Sequence, residues 1–181
     1  MCIRDRVNIL NTLRGHVETV SQSPSLRFTI AGIISLLLFG LLSAMLNTVG
    51  AIRVTQFSYT GYGLDILALY GIFSFCAFGA IYFIVPRITR REWLSRRFIN
   101  WHFFLSLYGI ASIVCCAVIG GYFQGEGVEA HNQSFLEAAA RASSYGWGIT
   151  IAWFFILISN IFFCLHPVSY THLTLPTIYS V

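Results

Sequence analysis

The stretch YGLDILALYGIFSFCAFGAIYFIVPRITRREWLSRR, residues 62–97, decides the fold. From Tyr62 to Val85 it carries a single charge, Asp65. About 20 consecutive apolar residues suffice for a helix to cross a hydrocarbon core about 30 Å thick. The run is long enough, so it predicts a transmembrane helix over 62–85. Pro86 is expected to close it, because proline cannot continue the hydrogen-bond ladder and disfavours helix at the residue before it. The densest charge cluster of the chain follows, with Arg87, Arg90, Arg91, Arg96 and Arg97 beside Glu92.

The same reading, carried outward, predicts three further spans. Pro24 and Ser25 make a helix start, and a nearly all-apolar run over 28–49 predicts the first span. Residues 50–61 read as a short connector. The third span is expected over 99–123 and the fourth over 145–165, ended by His166 and Pro167. Residues 124–144 are polar, and the alanine-rich 136–142 suits a helix start. Of the 181 residues 56% are hydrophobic and 10% charged, whereas a soluble domain carries about 25% charge. Lipid must therefore serve as solvent for much of the surface. The expected fold is an all-α polytopic membrane helix bundle of about four transmembrane helices, with no separate soluble domain.

The charge distribution orients the spans. Arginine-rich short loops stay on the cytoplasmic side. The loop Arg87–Arg97 is thus expected in the cytoplasm, with both chain ends on the same side, in keeping with Arg14 and Arg27 before the first span. Trp93, Trp101, Tyr122, Tyr145 and Trp147 lie near span ends, as interfacial aromatics do. All eleven basic residues are arginine and they serve topology, so no nucleic-acid partner is expected. The cysteines Cys76, Cys115, Cys116 and Cys164 show no metal-ligand spacing and read as buried apolar side chains. Gly71 and Gly79 on the second span, and Gly109, Gly120 and Gly121 on the third, read as points of close helix approach.

The two ends read differently. Residues 1–6 and 168–181 resemble translated sequencing-adapter DNA, one end in each orientation. They are expected to be artefactual and to lie outside a four-span domain over 7–167. Cys2 and His172 then carry no meaning, and the natural protein is longer.

Several segments resemble one family. They are Leu-Arg-Gly at 13–15, Ser-Pro-Ser-Leu-Arg-Phe at 23–28, Leu-Tyr-Gly-Ile-Phe-Ser-Phe at 69–75, Phe-Gly-Ala-Ile-Tyr-Phe-Ile-Val-Pro-Arg at 78–87, Asn-Trp-His-Phe at 100–103 and Gly-Gly-Tyr-Phe-Gln-Gly at 120–125. Together they resemble subunit I of haem–copper oxidases, closest to the cbb3-type cytochrome c oxidases. The resemblance implies the last four helices of a twelve-helix subunit in a bacterial inner membrane. It implies haem b and copper as cofactors of the family. The expected partners are the lipid bilayer, the missing helices of the same subunit and other oxidase subunits such as c-type cytochromes.

The resemblance also marks where the chemistry is expected to fail. The family's tenth helix carries His-x-His just before the Leu-Tyr-Gly stretch, one histidine for each of two haem irons. Aligned on Gly63 and Leu69-Tyr70-Gly71, those positions fall on Leu64 and Ile66, neither of which has a lone pair to offer. No catalytic, cofactor-binding or metal residue is therefore assigned. Asp65, between them, is a carboxylate inside a span and hence a candidate for a polar or proton role, with Arg53 as a possible ion-pair partner. His102 is the second such candidate. The competing reading for His102 is a structural residue at a helix start, bonded to backbone or headgroup. His16, His131 and His166 read as surface residues.

Two functions remain open. One is a subunit I paralogue without haem ligands, acting as a scaffold or accessory subunit of a respiratory complex. The other is part of a working terminal oxidase, oxidising cytochrome c, reducing oxygen and moving protons, with haem ligands outside this segment. An unrelated four-helix transporter piece or anchor is a third, less specific reading.

Overall fold

The structure is a computed structural model that describes residues 20, 22–90, 93, 95–129 and 134–174, with side chains described as far as Leu165. Residues 1–6, His16, Arg91, Glu92 and His131 lie outside the described residues, as does His172 in its side chain, so the expectations for them stay there. The described chain is all-helical. Helices α1 (Pro24–Leu46), α2 (Val49–Thr55) and α3 (Tyr59–Ile66) lead into a π-helical segment (Leu67–Ser74), followed by α4 (Phe75–Thr89), α5 (Arg96–Glu129) and α6 (Phe135–Thr174). Helix α3, the π-helical segment and α4 form one continuous rod, Tyr59–Thr89, which is the second span. With α1, α5 and the Phe135–Leu165 part of α6 it gives four helices long and apolar enough to cross a membrane.

Each span end differs from expectation for a physical reason. Pro86 does not stop the second span; α4 continues to Thr89 and ends on Arg90 in the left-handed conformation, φ 53°. A proline at position 86 deprives the Tyr82 carbonyl of its helical donor. That carbonyl accepts instead from the Trp93 indole, Nε1 to O 3.2 Å. An outside donor of this kind is what lets proline sit in a membrane helix. The fourth helix likewise runs past His166 and Pro167 to Thr174 rather than ending there. At its other end it begins at Phe135, where the Ser134 hydroxyl accepts from the Glu137 N–H and the Glu137 carboxylate from the Ser134 N–H. This is a capping box. The third span is longer at both ends than 99–123. The first stops at Leu46, where the Asn47 side chain donates to the Ser43 carbonyl at 2.7 Å, and the connector 50–61 is itself largely helical.

The third and fourth spans pair along most of their length. The first span lies mainly on the π-helical segment and α4, while α3 packs on α5. Glycines set these approaches as expected. A Cβ on Gly79 would sit 3.1 Å from the Ser25 carbonyl, and one on Gly109 3.2 Å from the Ala152 carbonyl. Both distances are backbone contacts that a side chain would break.

The cysteines depart from expectation. Cys76, Cys115 and Cys164 are exposed, and of the four described cysteines only Cys116 is partly buried against the core. In lipid an apolar thiol has nothing to escape from, so burial is not enforced as it is in water.

Candidate functional site

The second span brings two different regions under one helix. Its N-terminal part holds the positions singled out by the sequence. Ser58 accepts from the Thr60 N–H through its hydroxyl, and Gln124 of α5 accepts from the Tyr59 N–H at 3.2 Å, so the start of α3 is capped from within and from the neighbouring span. Gly63 then lies so close to α5 that a Cβ there would meet the Ala117 methyl at 2.9 Å. This contact fixes the rotation of α3. Ile66 turns inward to 5% exposure and joins the apolar core with Leu67, Val114 and Ala117. Leu64 is half-buried and Asp65 is exposed. Among the described residues Asp65 has no ion-pair partner, Arg53 included.

Directly after these positions the helix loosens into eight π-helical residues, where the Ser74 hydroxyl donates to the Leu69 carbonyl at 3.0 Å. The sequence gives no sign of it, because every neighbour is apolar and no period is interrupted. Wide helical turns of this kind are uncommon and are concentrated at functional sites. A cavity of about 50 Å³ lies against it, lined by Tyr70, Ser74, Ser106 and Asn160 among apolar residues. It is large enough and polar enough to hold water.

The C-terminal part of the span is organised around His102. The residue is fully buried, a turn and a half into α5. Its Nδ1 lies 2.8 Å from the Tyr82 hydroxyl. Its ring is enclosed by Phe78 at 4.5 Å, Phe28 at 5.1 Å and Phe163 at 5.3 Å between centroids. All four spans thus meet on this imidazole. The Ser159 hydroxyl donates to the His102 carbonyl at 2.7 Å, which uses its single proton. The Ser106 hydroxyl, 2.6 Å away, must therefore donate to Ser159. Tyr82, His102, Ser159 and Ser106 are thus linked by hydrogen bonds inside an apolar shell, which lowers the cost of burying them.

Of the two candidates, His102 is thus placed in a bonded network, and its partner is a phenol from another span rather than backbone or headgroup. Asp65 stands apart from it. The sequence missed Tyr82, Ser106, Ser159 and Gln124. Serines at positions 106 and 159, polar in otherwise apolar spans, were the available signal.

Residues 5–155 match the family described as Cytochrome C and Quinol oxidase polypeptide I. The chain is also similar to a protein described as a cytochrome c oxidase subunit 1 homolog from Azorhizobium caulinodans, 26% identical over 120 residues. That match covers 66% of this chain and 22% of the relative, so the chain spans about a fifth of that protein's length. Four apolar spans, a glycine-tuned central helix and a family match over most of the chain agree: this integral membrane protein belongs to the cytochrome c and quinol oxidase polypeptide I family, the haem–copper oxidase subunit I proteins.

Proposed function

We propose that the full-length protein is a cbb3-like subunit I paralogue that keeps the family fold, binds no haem through its central helix, and serves as a scaffold or accessory subunit of a respiratory membrane complex. Leu64 and Ile66, standing where the family's histidines are expected, carry this reading. The family uses haem and copper. An axial ligand must bring a lone pair to iron. Leu64 and Ile66 have none, and Ile66 is buried among apolar neighbours that offer none either. The residues at these positions do not fit haem.

In this role the protein lies in a bacterial inner membrane with the loop Arg87–Arg97 on the cytoplasmic side, supported by its arginines and the few charges of the opposite connectors. Its partners are lipid, the remaining helices of its own subunit and other oxidase subunits, c-type cytochromes among them. His102 acts as the structural centre of the bundle's inner end. Asp65, about a turn and a half from the start of α3, is an interfacial carboxylate rather than part of a proton path.

The deciding experiment is an optical spectrum of the purified full-length protein, with its co-purifying subunits identified. The expected result is oxidase subunits without stoichiometric haem. A Soret and alpha band at one or two haems per chain would overturn the proposal in favour of a working terminal oxidase with its ligands elsewhere in the subunit.

A further inference from the structure

The first and third spans run side by side but barely touch, and the gap between them is a groove of about 370 Å³. Its walls are apolar, with Ile34 and Leu38 from α1 and Leu107 and Val114 from α5, and its floor is Leu67 and Phe75 of the second span. One end differs: Arg27 lines it. The guanidinium donates to the neutral Asn100 Oδ1 at 2.7 Å and lies 5.7 Å from the Phe103 ring centre. Its buried Nε has no acceptor, and no carboxylate balances its charge among the described residues.

The dimensions identify what fits. From Arg27 to Leu38 the α1 wall is about 16 Å long at 1.5 Å per residue. One leaflet of a 30 Å hydrocarbon core is about 15 Å deep. The groove is therefore one leaflet long, apolar throughout and cationic at the end shared with the arginine loop. Among the described residues no carboxylate meets Arg27, and a phosphate at the interface would supply both a countercharge and the acceptor its Nε lacks. We infer that the groove between the first and third spans holds one acyl chain of an anionic phospholipid from the leaflet on the Arg87–Arg97 side, its phosphate bound by Arg27. This site is independent of the haem question.

The test is native mass spectrometry of the full-length protein, stripped of lipid and offered phosphatidylglycerol and phosphatidylcholine in equal amounts. The expected result is that one phosphatidylglycerol is retained several-fold better than phosphatidylcholine. Arg27→Gln loses that preference, Arg27→Lys keeps much of it, and Ala111→Phe, which fills the groove, loses one bound lipid of either kind. Should Gln misfold, the Lys and Phe variants still decide. Equal retention of the two lipids by the unmodified protein, an unchanged preference in Arg27→Gln, or an unchanged lipid count in Ala111→Phe would each overturn the inference; the last would mean that polypeptide covers the groove.

Discussion

The two halves of the second span are built on opposite plans. The N-terminal half, Tyr59–Ser74, meets its neighbours through missing side chains: Gly63 against Ala117, with Ile66 filling the core beside it. The C-terminal half, Phe75–Thr89, meets them through large ones: Phe75, Phe78 and Tyr82 around Phe28 and His102. Polar contacts occur in both, Gln124 accepting from the Tyr59 N–H in the first and the Tyr82 hydroxyl meeting His102 in the second. The difference shows that one helix can pack closely by glycine at one end and by interlocked rings at the other.

Four substitutions in the full-length protein would break or sharpen this contrast, each read as a change in unfolding free energy in mixed micelles. Phe28→Ala has the largest expected effect. It empties a fully buried ring site in contact with five other rings, and large aromatic deletions cost about 3–5 kcal/mol. A loss under about 1 kcal/mol would mean that the aromatic cluster does not hold the C-terminal half. Ile66→His comes next. It puts a histidine where the family resemblance would expect one but buries an imidazole among apolar neighbours, at a cost of about 1–3 kcal/mol. Stabilisation by added haem would instead show that the site is intact.

Tyr82→Phe keeps the ring and removes the bond to His102. Hydrogen bonds between membrane helices average about 0.6 kcal/mol and reach about 1.7 kcal/mol, and a value in that range is expected. Asp65→Asn is the smallest. A carboxylate that is exposed and without an ion-pair partner among the described residues gives a change within about 0.5 kcal/mol. A large effect would place a cationic partner on another helix of the subunit.

Much of the fold was legible because the bilayer imposes a length. Four runs of sufficient length could only be spans, and their order and number are as read. Their limits were not legible, because the rule applied to Pro86 and Pro167 belongs to isolated helices. It overlooks a donor such as Trp93, which is distant in bonding though near in sequence. The π-helical segment was hidden for another reason: in a uniformly apolar run no polar face marks the period. Leu64 and Ile66 were visible only as a departure from a family pattern. The contact between Tyr82 and His102 joins two spans, and nothing in either segment alone specifies it.

Tyr82 is held twice, and this has a mechanical consequence. Its carbonyl takes the Trp93 indole from the arginine loop, while its hydroxyl grips His102 of the third span. Loop and bundle are thereby coupled in series through one residue. A displacement of Trp93 would therefore reach the ring cluster through Tyr82.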